Sequence, residues 1–139
     1  MKILVKTILI ALLGMNALTA TYGGLNLMLI PNGSGLGLPL ELLSNTPFDS
    51  YFLPGLILLL SNGLSSIFIG WIFLTHSRHS YWMVNAQGFM LVTYIVVQVM
   101  MIDVIVPLHL ICGGAGMLMI LLGSFYEQLL KGRKKKLAA

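Results

Sequence analysis

Four long apolar runs, separated by shorter polar breaks, dominate the chain. They cover about residues 7–30, 51–74, 81–102 and 108–130, and each provides the roughly 20 residues that a helix needs to cross ~30 Å of hydrocarbon. The sequence shows no internal repeat. It therefore predicts one all-α membrane domain, a four-helix transmembrane bundle.

The break at residues 31–50 is the only long one, and it is rich in residues that end helices. It opens with the turn sequence Pro-Asn-Gly-Ser-Gly and contains no Lys or Arg. The apolar stretch Leu36–Leu43 is too short to span, so we expect a short helix lying at the membrane surface between the first two spans. The pattern thus predicts an ordered loop that covers one end of the bundle.

The distribution of charge predicts the orientation. With four spans, both termini and the link at 75–80 lie on one side, and all eight Lys and Arg residues fall there. The opposite side carries Glu41, Asp49 and Asp103. Because basic residues are retained in the cytoplasm, we predict cytoplasmic termini and an extracytoplasmic loop.

Composition narrows the range of partners. Only 9% of the residues are charged and 58% are hydrophobic, so most of the surface must face lipid. The basic tail 131–139, with its cluster Lys131–Lys136, has no aromatic residue to stack on bases, which disfavours nucleic acid and favours anionic lipid. The single cysteine, Cys112, excludes an intrachain disulfide and dithiol redox chemistry.

Each span carries a polar stripe at helical spacing, and these stripes supply the candidate ligand-binding residues. In a bilayer, polar and small residues hydrogen-bond and pack between helices, so helix packing is one interpretation of the stripes. The other is a polar cavity that binds or conducts a ligand, because unpaired carboxamides in lipid cost on the order of a few kcal/mol each. The candidate set is Asn16, Asn26, Asn62, Ser66, Gln87, Tyr94, Gln98 and His109.

Candidate chemistry is sparse. Asp103 and His109 flank a turn and form a weak acid–base candidate pair, although a carboxylate that caps a turn is ordinary. His76 and His79 lack further ligands nearby, so no metal site is expected. No phosphate loop, zinc signature, nucleophile elbow or dinucleotide fingerprint is present, and no cofactor is predicted.

The stretch from Gly35 to Leu59 contains a Thr-Pro-Phe-x-x-Tyr-x-x-Pro-Gly pattern over residues 46–55. Over roughly residues 35–75 the chain resembles small, uncharacterised bacterial four-span membrane proteins. The resemblance implies a location in the bacterial cytoplasmic (inner) membrane and implies no activity.

Three function classes follow. The first is a ligand-binding or transport-type protein without catalytic activity, whose polar intramembrane cavity holds a hydrophobic or polar small molecule under the loop. The second is a structural or accessory protein whose loop docks a partner or a second copy of the chain, giving a homo-oligomer. The third is a membrane enzyme that uses Asp103 and His109.

Overall fold

The computed structural model describes residues 1–76, 80–102 and 107–138, those from 133 onward by their backbone alone. Its helices are α1 (Lys2–Leu29), α2 (Phe52–Leu58), a π-helical segment (Leu59–Leu64), α3 (Ser65–His76), α4 (Tyr81–Ile102) and α5 (Pro107–Ala138). α2, the π segment and α3 run on as one span, Phe52–His76. The predicted all-α class is confirmed, as are four helices long and apolar enough to cross a membrane.

The helices alternate in direction. A buried core joins the start of α1 to the end of α3, through Val5 and Phe73, and the start of α4 to the end of α5, through Val84 and Tyr126. Phe73 and Tyr126 meet edge to face, with ring centroids 5.5 Å apart. We call this the terminal end of the bundle, and the opposite end, which carries residues 31–51, the loop end.

Two glycine pairs bring the helices into close contact. α1 packs against the second span where Gly24 faces Gly55, and a Cβ on Gly24 would lie 2.8 Å from the Gly55 carbonyl oxygen. α4 packs against α5 in the same way, since a Cβ on Gly88 would lie 2.7 Å from the Gly116 carbonyl oxygen. Lipid tails are as apolar as the side chains, so this close backbone packing replaces hydrophobic burial as the source of association.

The outer surface of the bundle is apolar, as a lipid-facing surface requires. Many large hydrophobic side chains are exposed along all four spans. Trp71 and Trp82, exposed to 64% and 60%, both lie toward the terminal end, where a ring of aromatic side chains suits the boundary between lipid and water.

The loop folds back onto the bundle around Tyr51. The Tyr51 hydroxyl donates to the Pro39 carbonyl at 2.9 Å, and the Tyr51 N–H donates to the Pro31 carbonyl at 2.9 Å. Tyr51 also packs with Leu27 and Leu43 in a second, smaller core. Its burial, together with the nearby Glu41 carboxylate, raises the pKa of the Tyr51 phenol above its ordinary value.

The region expected to hold a short surface helix contains two 3₁₀ turns, Ser34–Leu36 and Leu40–Leu43. Gly37, with φ +67°, follows the first turn, and Pro39, which has no N–H to donate, precedes the second. A left-handed residue and a proline so close together interrupt the hydrogen-bond ladder of an α-helix, which explains the two separate turns.

Candidate functional site

A buried polar cluster joins three helices at the middle of the bundle. Asn16 of α1, Asn62 and Ser66 of the second span, and Gln87 of α4 are each no more than 4% exposed. The Asn16 Nδ2 donates to Ser66 Oγ at 2.8 Å and reaches the Asn62 carbonyl at 3.5 Å. Four of the predicted ligand-binding residues are therefore brought together.

Gln87 makes the link from α4. Its Nε2 donates to the Ser61 carbonyl at 3.2 Å and to Asn62 Oδ1 at 3.3 Å. Its Oε1 accepts from the Ser65 hydroxyl at 2.8 Å. That hydroxyl also lies within hydrogen-bond distance of the Ser61 carbonyl, and its single hydrogen serves one acceptor at a time.

The π segment makes the Ser61 carbonyl available. The Ser65 N–H donates to Leu60 O, five residues back, instead of to Ser61 O, four residues back. A π turn of this kind inserts a residue into the ladder, and such turns are frequent at functional sites. Here the Ser61 carbonyl becomes the acceptor for a side chain on another helix.

The carboxamides of this cluster hydrogen-bond to one another, to serine hydroxyls and to backbone carbonyls. An amide with partners in the bundle has little to offer a ligand, and water has no route to side chains that are fully enclosed. The arrangement supports the packing interpretation for Asn16, Asn62, Ser66 and Gln87.

A cavity of about 510 Å³ lies beside the cluster, between α2 and α4 toward the loop end. We call it the α2–α4 groove. Leu43, Thr46 and Phe48 of the loop form its roof. One wall runs from Pro54 to Ser61 of the second span and the other along α4 from Ala86 to Ile102. The volume falls within the 300–1,000 Å³ typical of small-molecule sites.

The groove is mainly apolar, with a few polar groups along α4. Tyr94 donates to the Pro54 carbonyl at 3.4 Å and so bridges the two walls. Thr93 and Gln98 also line the groove, and neither side chain hydrogen-bonds within the described part of the chain. Two predicted candidates, Tyr94 and Gln98, thus face a cavity, and a lining with few polar groups is what ligand sites commonly show.

The groove opens sideways to the surface that faces lipid. Ile57 of α2 and Phe89, Met90 and Val97 of α4 line it and are 44% to 60% exposed. A molecule dissolved in the bilayer would therefore reach the groove without crossing the roof.

The remaining candidates lie apart. Asn26 sits under the loop, where its buried Oδ1 has no hydrogen-bond partner among the described residues and faces Gly35. His109 is buried on α5 at 6% exposure. Asp103 lies outside the described residues, as does His79. Among the residues described, no group of three His, Cys, Asp or Glu side chains is placed to hold a metal ion.

Asn85, which the sequence interpretation passed over, shows a second way of burying polar groups. Its Nδ2 donates to Ser124 Oγ at 3.3 Å, while its buried Oδ1 lacks a conventional partner in the described parts of the chain and faces Gly123. Thr21 Oγ1 faces Gly63 in the same manner. Glycine Cα–H groups are weak donors that recur at helix–helix contacts, and they are the donors that these positions offer to the two oxygens. The sequence signal that could have identified Asn85 is a polar residue on one span that a glycine on a neighbouring span can face.

Comparisons with protein-family models, with curated proteins and with solved structures find no match to this chain.

Proposed function

We propose that this chain is a multi-pass protein of the bacterial cytoplasmic membrane that binds a hydrophobic small molecule in the α2–α4 groove, without catalysis. The observation that carries the proposal is the groove itself: about 510 Å³, roofed by the loop and open to lipid. It supports the ligand-binding or transport-type class in a changed form, with a mainly apolar cavity in place of a polar one.

The orientation belongs to the same proposal. Both termini are cytoplasmic, because the basic residues lie toward the terminal end and in the tail. The loop end, with the groove roof, faces outward. The tail holds anionic lipid of the inner leaflet, at about 1 kcal/mol for each basic residue near the surface.

A dye-binding measurement tests the function. We expect an environment-sensitive naphthylamine dye to bind the purified protein in detergent micelles saturably, with one site per chain. Two adjacent valines on α4 provide a matched pair of variants, since Val96 and Val97 are 50% and 48% exposed and only Val97 lines the groove. Val97→Trp should abolish the saturable component, and Val96→Trp should retain it.

Two outcomes would count against the proposal. If the wild-type protein shows no saturable dye binding, the result would favour the accessory role, in which the loop docks a partner or a second copy. Equal binding by the two tryptophan variants would place the dye elsewhere on the lipid-facing surface. Each variant is first checked for a helical circular-dichroism spectrum and a single size-exclusion peak, so that misfolding is not read as lost binding.

A further inference from the structure

We infer that the natural occupant of the α2–α4 groove is an acyl chain of an uncharged or zwitterionic ester lipid from the loop-end leaflet. Its ester carbonyl accepts a hydrogen bond from the Gln98 carboxamide. This inference rests on the proposed function and specifies its ligand. Three observations lead to it: an unpaired amide, a lateral opening and the charge of the loop end.

The Gln98 carboxamide is the polar group that most needs a partner in the groove. It lies one helical turn, ~6 Å, before α4 ends at Ile102, close to the depth where hydrocarbon gives way to headgroups. Its side chain is partly buried, lines the groove and makes no hydrogen bond to any described residue. At that depth the abundant acceptors are the ester carbonyls of lipids, and the amide NH₂ group is a donor suited to them.

The shape of the groove favours a chain over a compact ligand. The α4 wall extends from Ala86 to Ile102, about 24 Å along the helix axis. Below Gln98 its lining is almost entirely apolar, and the exposed side chains at its edge leave it open to lipid along this length. A long hydrocarbon chain fills such a space. Because the chain is already in hydrocarbon outside the groove, its retention depends on van der Waals contact with the walls and on the polar contact at Gln98.

The charge of the loop end selects the headgroup. Glu41 and Asp49 are exposed there, and the loop, residues 31–51, contains no basic residue. A headgroup above Gln98 therefore meets negative charge without a compensating cation, which disfavours an anionic lipid. The basic residues that attract anionic lipid lie at the other end of the molecule.

The test uses diazirine-tailed lipids in nanodiscs, with crosslinks to α4 quantified by mass spectrometry. Three probes share the same tails: ester-linked phosphatidylcholine, ester-linked phosphatidylglycerol and ether-linked phosphatidylcholine. For wild-type protein we expect the ester phosphatidylcholine to label α4 most, about threefold above the ether analogue, which lacks the carbonyl. A threefold difference is what one hydrogen bond inside a membrane is worth on average.

Gln98→Leu then completes a cycle. This variant should label equally with ester and ether phosphatidylcholine, because the donor is gone, while Met100→Leu, which changes an exposed α4 residue absent from the groove lining, should keep the threefold ratio. Equal ester and ether labelling of the wild type would refute the carbonyl contact. Phosphatidylglycerol labelling as strong as phosphatidylcholine labelling would refute the headgroup assignment.

The dye experiment separates this inference from the function on which it rests. Saturable dye binding that Val97→Trp abolishes, combined with lipid labelling that Val97→Trp leaves unchanged, would mean that the groove binds a small molecule other than a lipid. Loss of both signals in Val97→Trp, with both retained in Val96→Trp, is the result expected if the two proposals hold together.

Discussion

The hydrogen bond between Gln87 and Asn62 gives the sharpest test of how the bundle is held together. The perturbation is a double-mutant cycle with Gln87→Met and Asn62→Leu, which remove the polar atoms while roughly conserving side-chain volume. Both side chains are fully buried, at 0% exposure, so the variants change packing partners and leave the contact with lipid unaltered.

The expected energies follow from the contacts. Gln87 makes two hydrogen bonds through Nε2, and its Oε1 shares the Ser65 hydroxyl hydrogen with the Ser61 carbonyl. Interhelical hydrogen bonds in membranes average about 0.6 kcal/mol, so Gln87→Met should cost about 1–2 kcal/mol. Asn62→Leu removes two side-chain bonds and should cost about 1 kcal/mol. The residues share one bond, so the double variant should be about 0.6 kcal/mol less destabilised than the sum of the singles.

The assay is unfolding by titration with dodecyl sulfate in mixed micelles, followed by tryptophan fluorescence. The control cycle pairs Asn62→Leu with Gln98→Leu. Gln98 is eleven residues, about 16 Å, along α4 from Gln87 and has no bond to the cluster, so these effects should add within about 0.5 kcal/mol. Coupling of Asn62 to Gln98 but not to Gln87 would refute the pairing described here.

Three further predictions concern packing, the loop and orientation. Gly88→Ala should lower the melting temperature because its Cβ meets an α5 carbonyl oxygen at 2.7 Å, whereas Gly114→Ala, with open space around it, should raise it by adding helix propensity. Burial raises the pKa of Tyr51 above its ordinary 10.0, so the stabilising contribution of its phenol should be intact below pH 10 and lost as the pH rises further. Proteolysis of the loop in the wild-type protein should therefore become faster above pH 10. Tyr51→Phe, which has no phenol to ionise, should show no such acceleration. In a Cys112→Ala background, Ser34→Cys should react with an impermeant maleimide in intact cells and Gly132→Cys only after permeabilisation; reaction of Gly132→Cys in intact cells would reverse the orientation.

Periodicity was sufficient to predict the fold class and the faces of the helices that meet. Four apolar runs of spanning length leave few alternatives to a helical bundle, because lipid cannot satisfy free backbone groups. Within the runs, carboxamides are costly unless paired, so Asn16, Asn62 and Gln87 were expected to face inward. The structure buries all three in one cluster.

The identities of the partners could not be predicted in the same way. Helical spacing gives the face of a residue, but its depth relative to a neighbouring span depends on where each helix begins. The π segment adds one residue to the second span and so shifts the positions of the residues that follow it in that span. No residue type in Leu59–Leu64 predicts such a turn. Gln98 shares a helix with Gln87 but lies about 16 Å nearer the loop end, where it faces the groove and not the cluster.

Ser61 connects the cluster to the groove. Its side chain lines the groove and its hydroxyl donates to the Ile57 carbonyl at 2.6 Å, while its own carbonyl accepts the bond from Gln87. The same residue therefore forms part of the groove wall and part of the contact that fixes α4 against the second span. Toward the loop end α4 packs less closely against α2 than it does against α3, and the Tyr94 bridge at 3.4 Å is long for a hydrogen bond between the two walls. The cluster thus acts as the fixed point from which the walls separate, so weakening it with Gln87→Met should alter the width of the groove as well as the stability of the bundle.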